Sequence, residues 1–133
     1  MSERISNSIK NFEKALGQLN EYLSSPVEDA RDRSGVIQAF EFTFELVWKT
    51  FKKIADEEGL DAGGPKSSLK AALQIGHIEA SEEDIYISML SDRNLISHTY
   101  REELSKEIFE RIKNQYLGVL NQLLKRLVAK MAK

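Results

Sequence analysis

From Asp29 to Glu58 the sequence runs thirty residues without a proline, and apolar side chains recur through it at Ile37, Phe40, Phe44, Val47, Phe51 and Ile54. Steps of three and four place these residues along one side of an α-helix. No strand uses that spacing, because side chains in a strand alternate between faces every second residue. A segment of this kind must be long, helical and central. Phe42, Leu46 and Trp48 fall off the stripe, so the helix is apolar on more than one side and is expected to face either the middle of a bundle or a second chain. Glu41, Glu45 and Lys49 recur every four residues and form its polar ridge.

The rest of the chain repeats the pattern. Ile5, Ile9, Phe12, Leu16, Leu19 and Leu23 line a helix over residues 4 to 23, stopped at Ser24, Ser25 and Pro26. Gly59 ends the second helix, and residues 59 to 66 form a loop. A short helix is expected from Ser67 to Ile75, closed by Gly76. Ser81 and Asp84 have the spacing of a capping box and are expected to open a fourth helix carrying Ile85, Met89, Leu90, Arg93 and Ile96. The fifth, over Glu103 to Ala132, is lined by Ile108, Ile112, Tyr116, Val119, Leu123, Leu127 and Met131. Lys125, Arg126, Lys130 and Lys133 crowd its C-terminal end, where cations complement the helix dipole. The expected fold is all-α, an antiparallel up-and-down bundle of four main helices and one short helix. It forms one domain over residues 1–133 and dimerises.

Composition narrows the function classes. The chain has no cysteine, so disulfides and thiolate metal sites are excluded, and a reducing cytoplasm is the expected location. No apolar run is long enough for a membrane span, and the N-terminus lacks the apolar core of a signal peptide. The net charge is −2, which excludes a protein held on nucleic acid by its whole surface and leaves only a local or transient contact. Motifs for a P-loop, a dinucleotide fold or a zinc protease are absent, the carboxylates form no metal pattern, and no metal or cofactor is expected.

Chemistry concentrates in Ser91 to Arg101, SDRNLISHTYR, where Arg93 is followed by four residues and then His98, with Tyr100 two further on. Only two histidines occur in the chain, and His77, in a helix-ending turn, is read as structural. His98 has the residue type that both accepts and gives a proton near neutral pH. Arg93 offers a permanent charge that forks onto phosphate. Together they suit metal-free RNA cleavage, which needs a base for the 2′-hydroxyl, charge stabilisation at phosphorus and an acid for the departing 5′-oxygen. On a regular helix Arg93 and Tyr100 share a face, whereas Arg93 and His98 diverge by about 140°. Either the helix unwinds near Ser97 to Thr99, or a two-fold dimer brings two copies of the motif together. For these residues taken alone a plainer role is preferred: Arg93 pairing with Asp92, Glu102 or Glu103, and His98 and Tyr100 capping the helix and filling a bundle corner. Lys66, after Pro65, is a loop cation of the kind that meets phosphate, although such lysines are common.

Three segments carry a resemblance to a known family: GVIQAFEFTFELVWKTFKK (Gly35 to Lys53), GGPKSSLKAALQIGHI (Gly63 to Ile78) and SDRNLISHTYREELSKEIFERI (Ser91 to Ile112). In this order they resemble the HEPN superfamily, and within it the HepT-like proteins also called nucleotidyltransferase substrate-binding proteins. The resemblance implies a helical bundle that forms a homodimer with the Arg–His–Tyr signature near the interface. It implies that Arg93 and His98 are the ribonuclease residues, that Asn94 is the supporting polar residue, and that RNA is a transient substrate. It further implies an MntA-like nucleotidyltransferase partner that adenylylates Tyr100. Two functional readings follow: a metal-independent endoribonuclease toxin neutralised by that modification, or a non-catalytic substrate-binding subunit of a minimal nucleotidyltransferase.

Overall fold

The computed structural model describes residues 1–98 and 101–132, with the His98 side chain outside the described set. Helix α1 (Glu3–Ser24) begins where Ser2 Oγ accepts from the Ile5 N–H at 3.2 Å. Helix α2 (Ala30–Glu57) begins where Asp29 Oδ1 accepts from the Asp32 N–H at 2.8 Å. Each cap satisfies one of the first-turn donors that a helix leaves unpaired. Gly59, at φ 77°, turns the chain out of α2, a left-handed conformation that side chains with a Cβ resist. Helix α3 (Pro65–Ile75) starts two residues earlier than the sequence suggests, because Pro65 occupies its first position, where a missing N–H costs nothing. Gly76, at φ 100°, closes it as expected.

The fourth helix opens differently from the expectation. Ser81 does not cap it. A 3₁₀ turn over Ala80–Glu82 comes first, in which Glu82 Oε1 accepts from the Glu79 N–H at 3.1 Å, and α4 (Glu83–His98) continues from there. The last rod consists of α5 (Glu102–Arg111), a π-helical turn (Ile112–Tyr116) and α6 (Leu117–Met131) without a break. Five helical rods therefore make up the described residues, with no strand among them. Helix α1 packs along α2 and against α6, while α3, α4 and α5 pack on α2 and complete the bundle.

The core is the convergence of the stripes. Phe12, Leu16, Leu19, Phe40, Phe44, Val47, Phe51, Tyr116 and Leu123 are all buried, with Phe40 stacked on Tyr116 at 5.4 Å between ring centres. In the last rod Leu120, rather than Val119, is the fully buried residue of its turn. Two of the polar side chains inside pair with each other: Ser8 and Thr50 share a hydrogen bond of 2.6 Å, and Thr50 also donates to the Leu46 carbonyl.

His77 is structural, as the sequence suggests. It is buried after the Gly76 turn, with Nδ1 2.6 Å from Lys130 Nζ on α6. Burial, reinforced by the positive charges of Lys130 and Arg126, pushes its pKa down to about 4. An unfolded histidine binds its proton near pH 6.5, so the unfolded chain holds the extra proton between those values. Stability should therefore fall as pH drops from about 6.5 to 4, by at most about 3 kcal/mol. Urea midpoints at pH 7.5 and 4.5 check this: His77→Gln should have the shallower loss, and equal losses would refute the assignment.

Candidate functional site

Helix α4 carries the candidate residues along its last turns. Arg93 is part-buried on the side facing α2, where its Nη2 pairs with Glu45 Oε1. Its Nη1 donates to Asn94 Oδ1 at 3.1 Å, and Ser97 Oγ donates to its carbonyl at 3.1 Å. The guanidinium is thus oriented by two acceptors while its side chain keeps 28% exposure, enough to meet a ligand. Glu45 also accepts from Trp48 Nε1 at 3.0 Å, which fixes the carboxylate from the α2 side. None of the three partners offered by the sequence for Arg93 holds it. Asp92 is taken by Arg111, and Glu102 lies 3.7 Å from Arg33.

Arg93 lines a shallow groove with Gln38, Glu41, Phe42, Glu45 and Ser97. Phe42 is 61% exposed there, an uncovered aromatic beside a charged cluster. Glu41 titrates above the usual carboxylate range, chiefly through burial; Arg93 opposes the shift and Glu45 adds to it. Two carboxylates against one guanidinium leave the groove of a single chain net negative among the described residues. Trp48 is only part-exposed and packs against the core, so it contributes less to any outer face than the sequence suggests.

Immediately behind Arg93, Asp92 is buried and clamped. Arg111 donates to it twice, from Nε and from an Nη, both at 2.8 Å, and the Tyr116 hydroxyl donates to Oδ2. Ser88 completes the group through the Tyr116 hydroxyl. Burial, and then the bond to Asp92, lift the Tyr116 phenol to about 12, and Asp92 raises Arg111 still further above its ordinary range. The π turn makes this possible. Residues five apart diverge by about 140° on an α-helix, but in a π turn the i and i+5 positions come one above the other. Arg111 and Tyr116 are such a pair, and the widened turn lets both reach one carboxylate. The sequence gives no sign of this arrangement beyond the spacing itself.

Helix α4 is described as far as His98, and α5 begins after Arg101, which is extended at φ −139° and ψ 130°. The expectation that Arg93 and Tyr100 share one helical face falls on Tyr100, outside the described residues. Arg93 and His98 both lie within the continuous α-helix, so the divergence of about 140° expected between them on a single chain stands. Tyr100 and the side chain of His98 lie outside the described residues. Among the described residues no cluster of histidine and carboxylate side chains could hold a metal ion, and no helix is long and apolar enough to cross a membrane.

This architecture has known counterparts. A Thermus thermophilus protein of known crystal structure superposes with a TM-score of 0.74 at 31% identity, covering 92% of this chain and 99% of that one. A tri-AMPylated Shewanella oneidensis HEPN toxin, solved in complex with an MNT antitoxin, superposes with a TM-score of 0.80 at 19% identity, over 97% of this chain and 99% of that chain. The toxin–antitoxin pair MntA–HpeT, solved as a mutant, gives a TM-score of 0.79 at 18% identity, over 96% and 99%. At those identities the last two establish the fold alone. A probable ribonuclease HepT of Haemophilus influenzae is 31% identical over 84 residues, 59% of this chain, and the match spans 56% of that relative's length. The family described as nucleotidyltransferase substrate binding protein like matches residues 7–129, nearly the full length, and the chain belongs to that HepT-like HEPN family.

Proposed function

We propose that this chain is a metal-independent endoribonuclease of the toxin type, acting as a homodimer and silenced by an MntA-like nucleotidyltransferase. The observation that carries the reading is Arg93: a guanidinium pre-oriented by Glu45 and Asn94, still accessible, on the same helix as His98. In the proposed reaction the 2′-hydroxyl of one nucleotide attacks the adjacent phosphorus and gives its proton to His98 of one copy. Arg93 stabilises the charge on the phosphorane. The bond to the 5′-oxygen then breaks, and that oxygen takes a proton from a second histidine. The products are a 2′,3′-cyclic phosphate and a 5′-hydroxyl, with no oxidant or metal consumed.

A second copy answers two difficulties. It supplies the second histidine, and it brings further positive charge to a groove that is net negative in one chain. The exposed Phe42 beside Arg93 is the natural contact. Phe42→Asp should therefore shift the protein to monomer in sedimentation at micromolar concentration and remove cleavage together with it. A wild type that is strictly monomeric and active would refute the dimeric site.

Control is proposed to run through Tyr100. Adenylylation adds a phosphodiester charge and a nucleoside next to the Arg93–His98 segment, competing for the guanidinium and obstructing RNA. Co-expression with the nucleotidyltransferase should add adenylate-sized mass increments at Tyr100 and abolish activity, while Tyr100→Phe remains toxic. If Tyr100→Phe is neutralised as fully as the parent, control runs through binding. The alternative reading, a non-catalytic subunit that presents a substrate to the nucleotidyltransferase, gains support from the carboxylates Glu41 and Glu45 in the groove, which disfavour an anion in the isolated chain. Growth arrest by the chain expressed alone, lost in Arg93→Ala and His98→Ala, separates the two.

A further inference from the structure

A second cavity, of about 360 Å³, lies between α3 and α4 and is lined in part by Asn94, the neighbour of Arg93. Its lining is apolar along the middle, from Leu69, Leu73, Ile78, Tyr86 and Leu90, with Ile87 as an exposed lip. Lys66 and Lys70, one turn apart on α3, stand at its edge, exposed and without an ion-pair partner among the described residues. Asn94 and Ser91 line it from α4. Glu83 is the single carboxylate in the lining, and it lies eleven residues before Asn94 on the same helix, or about 16 Å along the axis.

The combination is selective. An apolar trough alone would suit a partner helix, but such a helix would leave two lysines facing its buried side. A free phosphate would satisfy the lysines and waste the trough. A nucleotide that is not base-paired answers both, because its base has an apolar face and its backbone is anionic. A duplex does not, because its bases are stacked and paired within the helix. Position supports the same occupant. The trough reaches Asn94, whose side-chain Oδ1 accepts from Arg93 at 3.1 Å, so one residue separates it from the site where phosphate is proposed to react. Lys66 and Lys70 supply at the cavity the positive charge that the Arg93 groove of one chain lacks.

We infer that the α3–α4 cavity seats an unpaired nucleotide of single-stranded RNA flanking the phosphate at Arg93, with its base on the Leu69–Leu73–Leu90 floor and its phosphate at Lys66 and Lys70. This rests on the ribonuclease reading for the adjacent phosphate, but it is testable without cleavage. The probe is a fluorescently labelled 2′-O-methyl RNA octamer, which lacks the attacking hydroxyl, titrated with the full chain in EDTA. Lys66→Gln/Lys70→Gln should raise Kd at least tenfold and flatten the slope of log Kd against log salt by about 0.7, the contribution of one phosphate contact on a single strand. Ile87→Glu, at an exposed lip, should also weaken binding without unfolding the bundle. Unchanged Kd in both variants would overturn the inference. So would unchanged RNA binding with altered sedimentation, which would make the cavity a contact between copies. The two readings fail separately. Wild-type binding that depends on the lysines, without cleavage of ordinary RNA, retains the cavity and rejects the nuclease. Cleavage with unchanged KM in the lysine variant retains the nuclease and rejects the cavity.

Discussion

Arg111→Met is expected to lower the unfolding free energy by about 3 kcal/mol, the low end of the cost of breaking a buried ion pair from one side. The reason lies in which partner is left behind. Asp92 has only 5% side-chain exposure, so without Arg111 its carboxylate is stranded in the core with the Tyr116 hydroxyl as remaining donor. Arg111 is 31% exposed and regains water when Asp92 is removed. Asp92→Asn alone should thus cost less, about 1.5–2 kcal/mol, the low end of the net worth of hydrogen bonds to a charged group. Combining the two should recover part of the Arg111→Met loss, because a neutral amide is cheaper to bury than an unpaired charge. Urea denaturation of the three variants checks the order. Equal single losses with simple additivity would mean that Asp92 is not held as described.

The second large effect concerns rate. If Arg93 acts as a preorganised charge donor to the phosphorane, Arg93→Ala should reduce cleavage by about 10² to 10³, corresponding to roughly 3 to 4 kcal/mol. His98→Ala should lose at least as much, with the helical circular dichroism of both variants unchanged. The same experiment distinguishes structural from chemical roles for the Arg93–Glu45 pair. It is only part-buried on both sides, so its loss should cost little stability. A large drop in stability together with activity would assign Arg93 to the fold instead. Activity unchanged in both variants would place the cleavage at another site or in a contaminant.

The bundle was legible because apolar periodicity is a direct record of burial. Ile9, Phe12, Phe40, Phe44, Phe51 and Leu127 lie on the predicted stripes and inside the core. Stops at Gly59 and Gly76 were equally plain, since both require left-handed backbone. The site was legible only in part. Arg93 could be singled out by residue type, but Glu45 read as one member of a solvated ridge, and only the packing of α2 against α4 brings the two together. Asp92 and Arg111 were still harder. Their bond depends on a π turn, and hydrogen-bond registers of that kind leave no periodic signature in the sequence. The start of α4 was misplaced for a related reason: Ser81 and Asp84 have capping spacing, yet Glu79 and Glu82 fit the turn that forms. Lys66 was visible as a loop cation, whereas the cavity beside it exists only once α3 folds against α4.

Metal-free chemistry at Arg93 and His98 stands or falls on one assay, the purified wild-type chain incubated with single-stranded RNA in excess EDTA. Slow cleavage should persist under chelation, yield 2′,3′-cyclic phosphate ends, and disappear in the Arg93→Ala/His98→Ala double variant while the bundle stays folded. No cleavage by wild-type protein shown to be unmodified by mass, or cleavage at equal rate by the double variant, would refute that chemistry.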